Sequence, residues 1–424
     1  MDVDEVLASS IEAKLLPKPP SSSRACIFKV PHVLSSQSEG AFAPNKVSIG
    51  PFHHGHENLK SMEEFKLWYL HGLLSRAPTP QTSLKIFTKA IRQLEERARE
   101  CYAEQLIDLD TDEFEEMMLV DGCFILELFR KKANGIGGLQ RDDPISSTLW
   151  MDTFLRVDLM LLENQIPWFV LECLFNLTEP PIQRSPSLAE LALGFFDTMM
   201  PMIDPAKSSS RHEMKHLLDL LWNNIISASA DLEVSQVTLE NEYWEVIPKV
   251  TDVVEAGVKF RKGNPEEILN IRFKDWVMDI PPLLIQGSTE CLFRNLIAYE
   301  QCSYFLPSRI TSYVMLLNRL INHSSKDVQL LRDQGILEKR LSTAEDGSLF
   351  FSRVLKGIIL HKFYYVGIYQ IVNAYYRTSR HKRQATLKRD YFNNPLTIIC
   401  LIIVIALLLL NAFMRTLFII LSDH

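Results

Sequence analysis

The chain has 424 residues, 47% hydrophobic and 23% charged, an ordinary globular balance that allows a large core in one large or two medium domains. Its net charge of −7 is unevenly placed: the stretch from Arg377 onward carries +5 and the remainder −12. An acidic body offers no general footprint for nucleic acid. Seven scattered cysteines without a C-x-x-C pair fit reduced thiols rather than a disulfide frame.

Taken in order, the opening Met1-Asp2-Val3-Asp4-Glu5 lacks the basic flank and apolar stretch of a signal peptide. Residues 1–23 read as an N-terminal extension, a short helix followed by a Pro/Ser linker. Residues 24–376 read as a helical body. Within it, Ile27-Phe-Lys-Val-Pro31 is predicted extended, because the residue before proline avoids the helical region. A turn-rich loop, Ala43 to His56, follows, and helical spacing resumes over Met62–Leu74 and Leu84–Leu106. Phe114–Phe129 is apolar on several sides, which predicts a core helix.

Trp150–Phe175 is the densest apolar segment of the body, and Pro167 should break it into two helices or one kinked helix. The polar Glu163, Asn164 and Gln165 beside that break are placed to satisfy the backbone groups it frees. Pro- and Ser-rich stretches suggest a sub-boundary or loop excursion near 179–211, and His212–Ile226 is predicted helical. Short alternating runs between Gly257 and Ile285 predict a small antiparallel sheet. Helix returns at Cys291–Phe305, Ile310–Ile321, Asp327–Leu337 and, as one long element, Leu349–Tyr376. The fold class expected is mainly α, an α+β arrangement with a minor antiparallel sheet.

The C-terminal run Leu396–Leu421 is nearly all apolar. A hydrocarbon core of roughly 30 Å needs about 20 such residues, so residues 396–421 are expected to form one transmembrane helix. Arg377, Arg380, Lys382, Arg383, Lys388 and Arg389 form a basic juxtamembrane collar over 377–395. Basic residues beside a span stay cytosolic. The expectation is therefore a tail-anchored, single-pass protein of the plasma membrane or an endomembrane, its N-terminal body in the cytosol. Its partners would be the lipid bilayer, anionic lipid headgroups touching the collar, and an unidentified protein, with no nucleic acid.

Two constellations carry candidate chemistry. His212-Glu213-Met-Lys-His216 is an H-E-x-x-H: on a helix, two imidazoles four residues apart share a face and would bind zinc while Glu213 activates water. No H-x-x-G-x-x-H continuation supplies a third ligand, and Ser208-Ser-Ser-Arg211 upstream suggests an exposed first turn. His53-His54-Gly55-His56 would suit a transition metal, but successive residues rarely converge on one ion. No G-x-S-x-G elbow, dinucleotide fingerprint, P-loop or kinase signature occurs. The sequence therefore predicts neither a catalytic set nor a cofactor.

Several segments together resemble the plant family called domain of unknown function 247 (uncharacterised protein family 0481). The resemblance is carried by Ile27-Phe-Lys-Val-Pro31, Val47-Ser-Ile-Gly-Pro-Phe-His-His-Gly55 and Asp158-Leu-Met-Leu-Leu-Glu-Asn-Gln-Ile-Pro167. It continues through His216-Leu-Leu-Asp219, Ala256-Gly-Val-Lys-Phe260, Phe293-Arg-Asn-Leu-Ile-Ala-Tyr-Glu-Gln301 and Tyr391-Phe-Asn-Asn-Pro395. As family-motif residues it marks Gly50, Pro51, His53, His54, Glu163, Asn164, Gln165, Pro167, Asn295 and Glu300. The pattern includes His216 without a paired His212, which weakens the zinc reading, and Leu396 stands where relatives usually have Trp. The resemblance implies a plant membrane-associated protein without established enzyme activity. Some grass relatives are linked to pollen–stigma self-incompatibility, which implies recognition or signalling. The function expected is a non-catalytic, membrane-anchored interaction protein. The alternative is a membrane-bound hydrolase using His212, Glu213 and His216 with zinc, or His53 and His54 with Glu163.

Overall fold

The computed structural model describes residues 3–15, 22–76, 83–104, 106, 108–133, 143–145, 148–178, 186–197, 199, 213–228, 237–238, 246–339, 344–360, 362–378 and 395–422. The first helices are α1 (Val3–Glu12), the single turn α2 (His32–Ser35), α3 (Ser61–Arg76), α4 (Leu84–Arg99) and α5 (Thr111–Ala133). Helix α5 is the hub of this half. From Phe114 to Phe129 every residue except Glu116 is buried, and it packs against α3, α4 and two later helices, α7 (Trp168–Thr178) and α8 (Leu188–Phe196). Burying each Leu or Phe there contributes on the order of 1.5–3 kcal/mol. Gly122 lets α7 approach closely: a Cβ in its place would meet Leu174 Cδ1 at 2.5 Å.

Pro167 does divide the apolar segment. Helix α6 (Leu149–Leu159) ends eight residues before α7 begins, so the break is a linker with its own hydrogen bonds and not a kink. Beyond α8 come α9 (Leu217–Ser227) and α10 (Val250–Glu255). A second helical group follows: α11 (Thr289–Cys302), α12 (Arg309–Ile321), α13 (Ser325–Asp333) and α14 (Ala344–Val354), with α12 touching the other three.

The strands are short. β1 (Val237–Thr238) pairs antiparallel with β7 (Lys362–Phe363), and β5 (Leu283–Ile285) pairs parallel with β6 (Leu337–Lys339). The three-stranded sheet runs β2-β4-β3, from β2 (Lys259–Lys262), β3 (Arg272–Lys274) and β4 (Val277–Ile280). It is mixed, which corrects the expected antiparallel sheet. β3 and β4 form a hairpin in which Asp275 and Trp276 both have positive φ, 49° and 62°, the geometry of a two-residue type I′ turn. β2 lies parallel on the other edge of β4.

The long helix expected over Leu349–Tyr376 is also divided. After α14 the chain turns through Gly357, at φ 82° and facing the Val33 carbonyl, enters β7, and resumes as α15 (Val366–Arg377).

The C-terminal run is helical, α16 (Pro395–Ser422). Yet among the described residues no helix is long and apolar enough to cross a membrane. The expected transmembrane helix is thereby overturned, and with it the tail anchor and the single-pass membrane localisation.

Candidate functional site

The two most specific motifs meet in space. The loop 45–56 lies over the linker between α6 and α7, and main-chain groups of one are bonded to side chains of the other. Asp158, in the last turn of α6, accepts hydrogen bonds from the N–H groups of Asn45 (2.9 Å), Lys46 (2.7 Å) and Val47 (2.9 Å). Burial raises its pKa, against the pull of those three donors. Asn164 accepts from Ile49 N–H at 2.7 Å and donates to the carbonyls of Val47 and Asp158. Gln165 donates to the Leu159 carbonyl at the end of α6 and to the Leu161 carbonyl, which also accepts from Asn164 N–H, and it accepts from Leu218 N–H in the first turn of α9. Asn295 of α11 accepts from Leu162 N–H and donates to the Ala41 and Cys291 carbonyls.

Gly50 sits where this loop presses hardest. Its φ is 74°, and a Cβ there would stand 2.4 Å from the Gln165 carbonyl oxygen. That oxygen also accepts from the Tyr102 hydroxyl at 3.0 Å. Gly50 N–H donates to Asp121 Oδ2 at 2.8 Å, while Asp121 Oδ1 lies 2.6 Å from the wholly buried Lys66 ammonium, itself 2.7 Å from Glu63. Burial penalises that ammonium, but the Asp121 and Glu63 carboxylates outweigh it and hold its pKa above the ordinary value. Pro51 then opens a short 3₁₀ turn that sets down His53 and His54.

His53 Nε2 lies 3.3 Å from Glu163 Oε2, and Glu163 Oε1 accepts from Val30 N–H at 2.7 Å. His54 Nε2 lies 3.6 Å from Glu113 on the other side. The His53 and His56 rings meet edge to face. Among the described residues no group of three or more His, Cys, Asp or Glu is placed to hold a metal ion.

Residues 213–216 of the H-E-x-x-H segment are not helical. His212 lies outside the described residues. Glu213 is exposed, 3.2 Å from Arg97, and residues 213–216 precede α9, which begins at Leu217. His216 is the N-cap of that helix: its Nδ1 accepts from Asp219 N–H at 3.2 Å, so Nε2 carries the proton and donates to the Cys26 carbonyl at 3.1 Å. Burial lowers the His216 pKa to about 4, opposed by nearby Asp219. Both nitrogens are engaged, and neither is turned to an open ligand position. Asp219 is itself bonded by the Tyr299 hydroxyl at 2.7 Å and by Lys215 N–H.

Glu300, the remaining motif carboxylate, caps α12. It accepts from Ile310 N–H, Thr311 N–H, the Thr311 hydroxyl and the Trp222 indole, at 2.6 to 3.1 Å. Burial pushes its pKa up to about 7, against those four donors. Of the basic collar, Arg377 ends α15 and is exposed; Arg380, Lys382, Arg383, Lys388 and Arg389 lie outside the described residues. Sequence reasoning did not find Asp121, Lys66, Tyr299 or Asp219 as partners of the motifs. The one available signal was Asp121, an aspartate inside the otherwise apolar run Met117–Leu126.

The sequence profile of a family described as "Plant protein of unknown function" (DUF247) matches residues 27–410. The UPF0481 protein At3g47200 of Arabidopsis thaliana is 29% identical, over 96% of this chain and 89% of that protein. The putative UPF0481 protein At3g02645 of the same plant is 23% identical, over 87% of this chain and 85% of its own length. No solved structure matches.

Proposed function

We propose, for a chain that belongs to the DUF247 family of plant proteins of unknown function, that it is a non-catalytic protein-interaction component acting in recognition or signalling. The observation that carries this reading is how the motif side chains are spent. Asp158, Asn164, Gln165, Asn295 and Glu300 direct their hydrogen bonds chiefly to main-chain groups of other segments. Such groups fix the relative positions of α6, α7, α9, α11 and α12, and reacting with a substrate would first require breaking those bonds. A recognition protein needs a rigid frame that presents an accessible surface. The turn between α11 and α12 offers one, with Tyr304 and Phe305 exposed at 89% and 93%, and aromatic side chains are favoured anchors in protein interfaces.

The His53–Glu163 contact is the specific observation on the side of a hydrolase, since a carboxylate can orient an imidazole that acts as a base. One experiment separates the readings. The wild-type protein and Glu163→Gln are screened against esters, amides, glycosides and phosphoesters. An activity that falls more than tenfold in Glu163→Gln, with its unfolding midpoint unchanged, overturns the interaction reading. The expected outcome is no turnover by either protein. Proximity labelling in plant cells is then expected to mark a partner that Tyr304→Ser/Phe305→Ser loses, with its unfolding midpoint unchanged.

A further inference from the structure

Two thiols far apart in sequence face each other at the edge of the core. Cys26 N–H and Ile27 N–H both donate to the Cys101 carbonyl, at 2.8 and 2.9 Å, and Ala103 N–H returns a bond of 3.0 Å to the Ile27 carbonyl. These bonds make a parallel bridge between Ile27 and Tyr102, so Cys26 and Cys101 are the neighbouring pair in the same register. Paired strands run about 4.8 Å apart, inside the Cα separation of roughly 4.4–6.8 Å that a disulfide needs. Neighbouring positions in register project their side chains to the same side, and the Cys101 thiol itself donates to the Arg97 carbonyl at 3.4 Å. Both residues are almost buried, at 6% and 7% exposure, but neither is sealed.

We propose that Cys26 and Cys101 form a redox pair that hydrogen peroxide or a small organic hydroperoxide converts to a disulfide. Cys101 is the attacking thiol. Its neighbours are Arg97 and Arg24, whose positive charges favour the thiolate, and Glu100, which disfavours it. The adjacent Cys26 thiol contributes most, and with the arginines it lowers the Cys101 pKa against burial, while proximity to Cys101 and burial raise that of Cys26, which also faces Lys215 and Asp219. The Cys101 thiolate attacks one peroxide oxygen, the O–O bond breaks, and a sulfenic acid forms as hydroxide leaves. Cys26 then attacks that sulfur, its proton goes to the departing hydroxide, and the S–S bond closes. Two thiols lose two electrons; hydrogen peroxide becomes two waters, whereas an organic hydroperoxide releases its alkoxide in the first step and ends as one alcohol and one water.

The position gives the bond a purpose. The Cys26 carbonyl holds the His216 ring, and three residues after Ile27 the Val30 N–H holds Glu163. A disulfide would tie this segment covalently to the end of α4 and fix the end of the motif frame.

The test uses the full chain, reduced, treated with hydrogen peroxide, alkylated and digested without reductant. The expected result is a linked peptide joining Cys26 to Cys101, while Cys123, Cys173, Cys291, Cys302 and Cys400 stay alkylated, and a higher unfolding midpoint that reductant reverses. In Cys26→Ser, a sulfenic-acid trap is expected to mark Cys101; in Cys101→Ser, Cys26 is expected to stay unmarked. Oxidation of the other cysteines without the 26–101 peptide overturns the proposal, and this needs no variant to fold. Equal trapping of Cys26 in Cys101→Ser overturns the assignment of the attacking thiol.

Discussion

Replacing His216 with Asn separates two things the imidazole does. Asparagine is a good N-cap, and its Oδ1 can still accept Asp219 N–H, so α9 keeps its first turn. What is lost is the bond to the Cys26 carbonyl, the ring against Tyr299 (centroids 5.0 Å apart), and the titration itself. The ring's pKa falls from an ordinary 6.5 to about 4 in the folded protein. At about 1.36 kcal/mol per pKa unit, that difference is worth about 3 kcal/mol. Between pH 6.5 and 4 the unfolded chain binds a proton at this site that the native protein does not. The stability due to the neutral ring is therefore complete above pH 6.5 and is lost as pH falls toward 4. Urea unfolding followed by tryptophan fluorescence at several pH values from 7.5 to 4 measures it. Near pH 7.5 His216→Asn should be less stable by about 2 kcal/mol or more, from lost burial and one lost hydrogen bond. On acidification that gap should close by up to about 3 kcal/mol. A gap that stays constant across the range refutes the claim that a buried, neutral imidazole holds this junction.

Glu300 should show the opposite sign. Its pKa is raised from 4.5 to about 7 by burial, so its contribution is complete below pH 4.5 and is lost as pH rises through 7; the stability gap to Glu300→Gln should narrow over that range by up to about 3 kcal/mol in the same urea assay. The buried Lys66–Asp121 pair predicts strong non-additivity. Lys66→Met alone leaves Asp121 uncompensated and should cost about 3–5 kcal/mol, whereas Lys66→Met/Asp121→Asn should cost clearly less. Equal costs in thermal unfolding would show that the pair does not act as a unit.

Much of the helical framework was legible because its signals are local. Phe114–Phe129 has apolar residues on every face, and Pro167 cannot continue a helix, so α5 and the α6–α7 break follow from the residues alone. The role of Asn164 and Gln165 in satisfying freed backbone groups also follows from that break. Tertiary partners were what the sequence could not show. The start of α9 depends on His216 acting as a cap and not as a helical ligand, and a histidine-capped start looks the same as a zinc motif when only spacing is read. The division of Leu349–Tyr376 depends on Gly357 meeting Val33, more than three hundred residues away in sequence. The parallel placement of β2 depends on the path of residues 263–271, for which alternation gives no sign. Hydropathy of the C-terminal run suggested a span that no described helix has the length and apolarity to make.

The bond from Asn295 Nδ2 to the Ala41 carbonyl joins residues 254 positions apart. At about 5–20 residues per second of ribosomal synthesis, the early loop waits on the order of 10–50 s for its anchor to be made. Until each emerges in turn, the N–H groups of Asn45, Lys46 and Val47 lack their acceptor Asp158, Ile49 N–H lacks Asn164, and the Ala41 carbonyl lacks its donor Asn295. Newborn chains should thus remain clients of holdase chaperones until translation has passed α11, and stalled or truncated products ending before Thr289 should be cleared rather than accumulate.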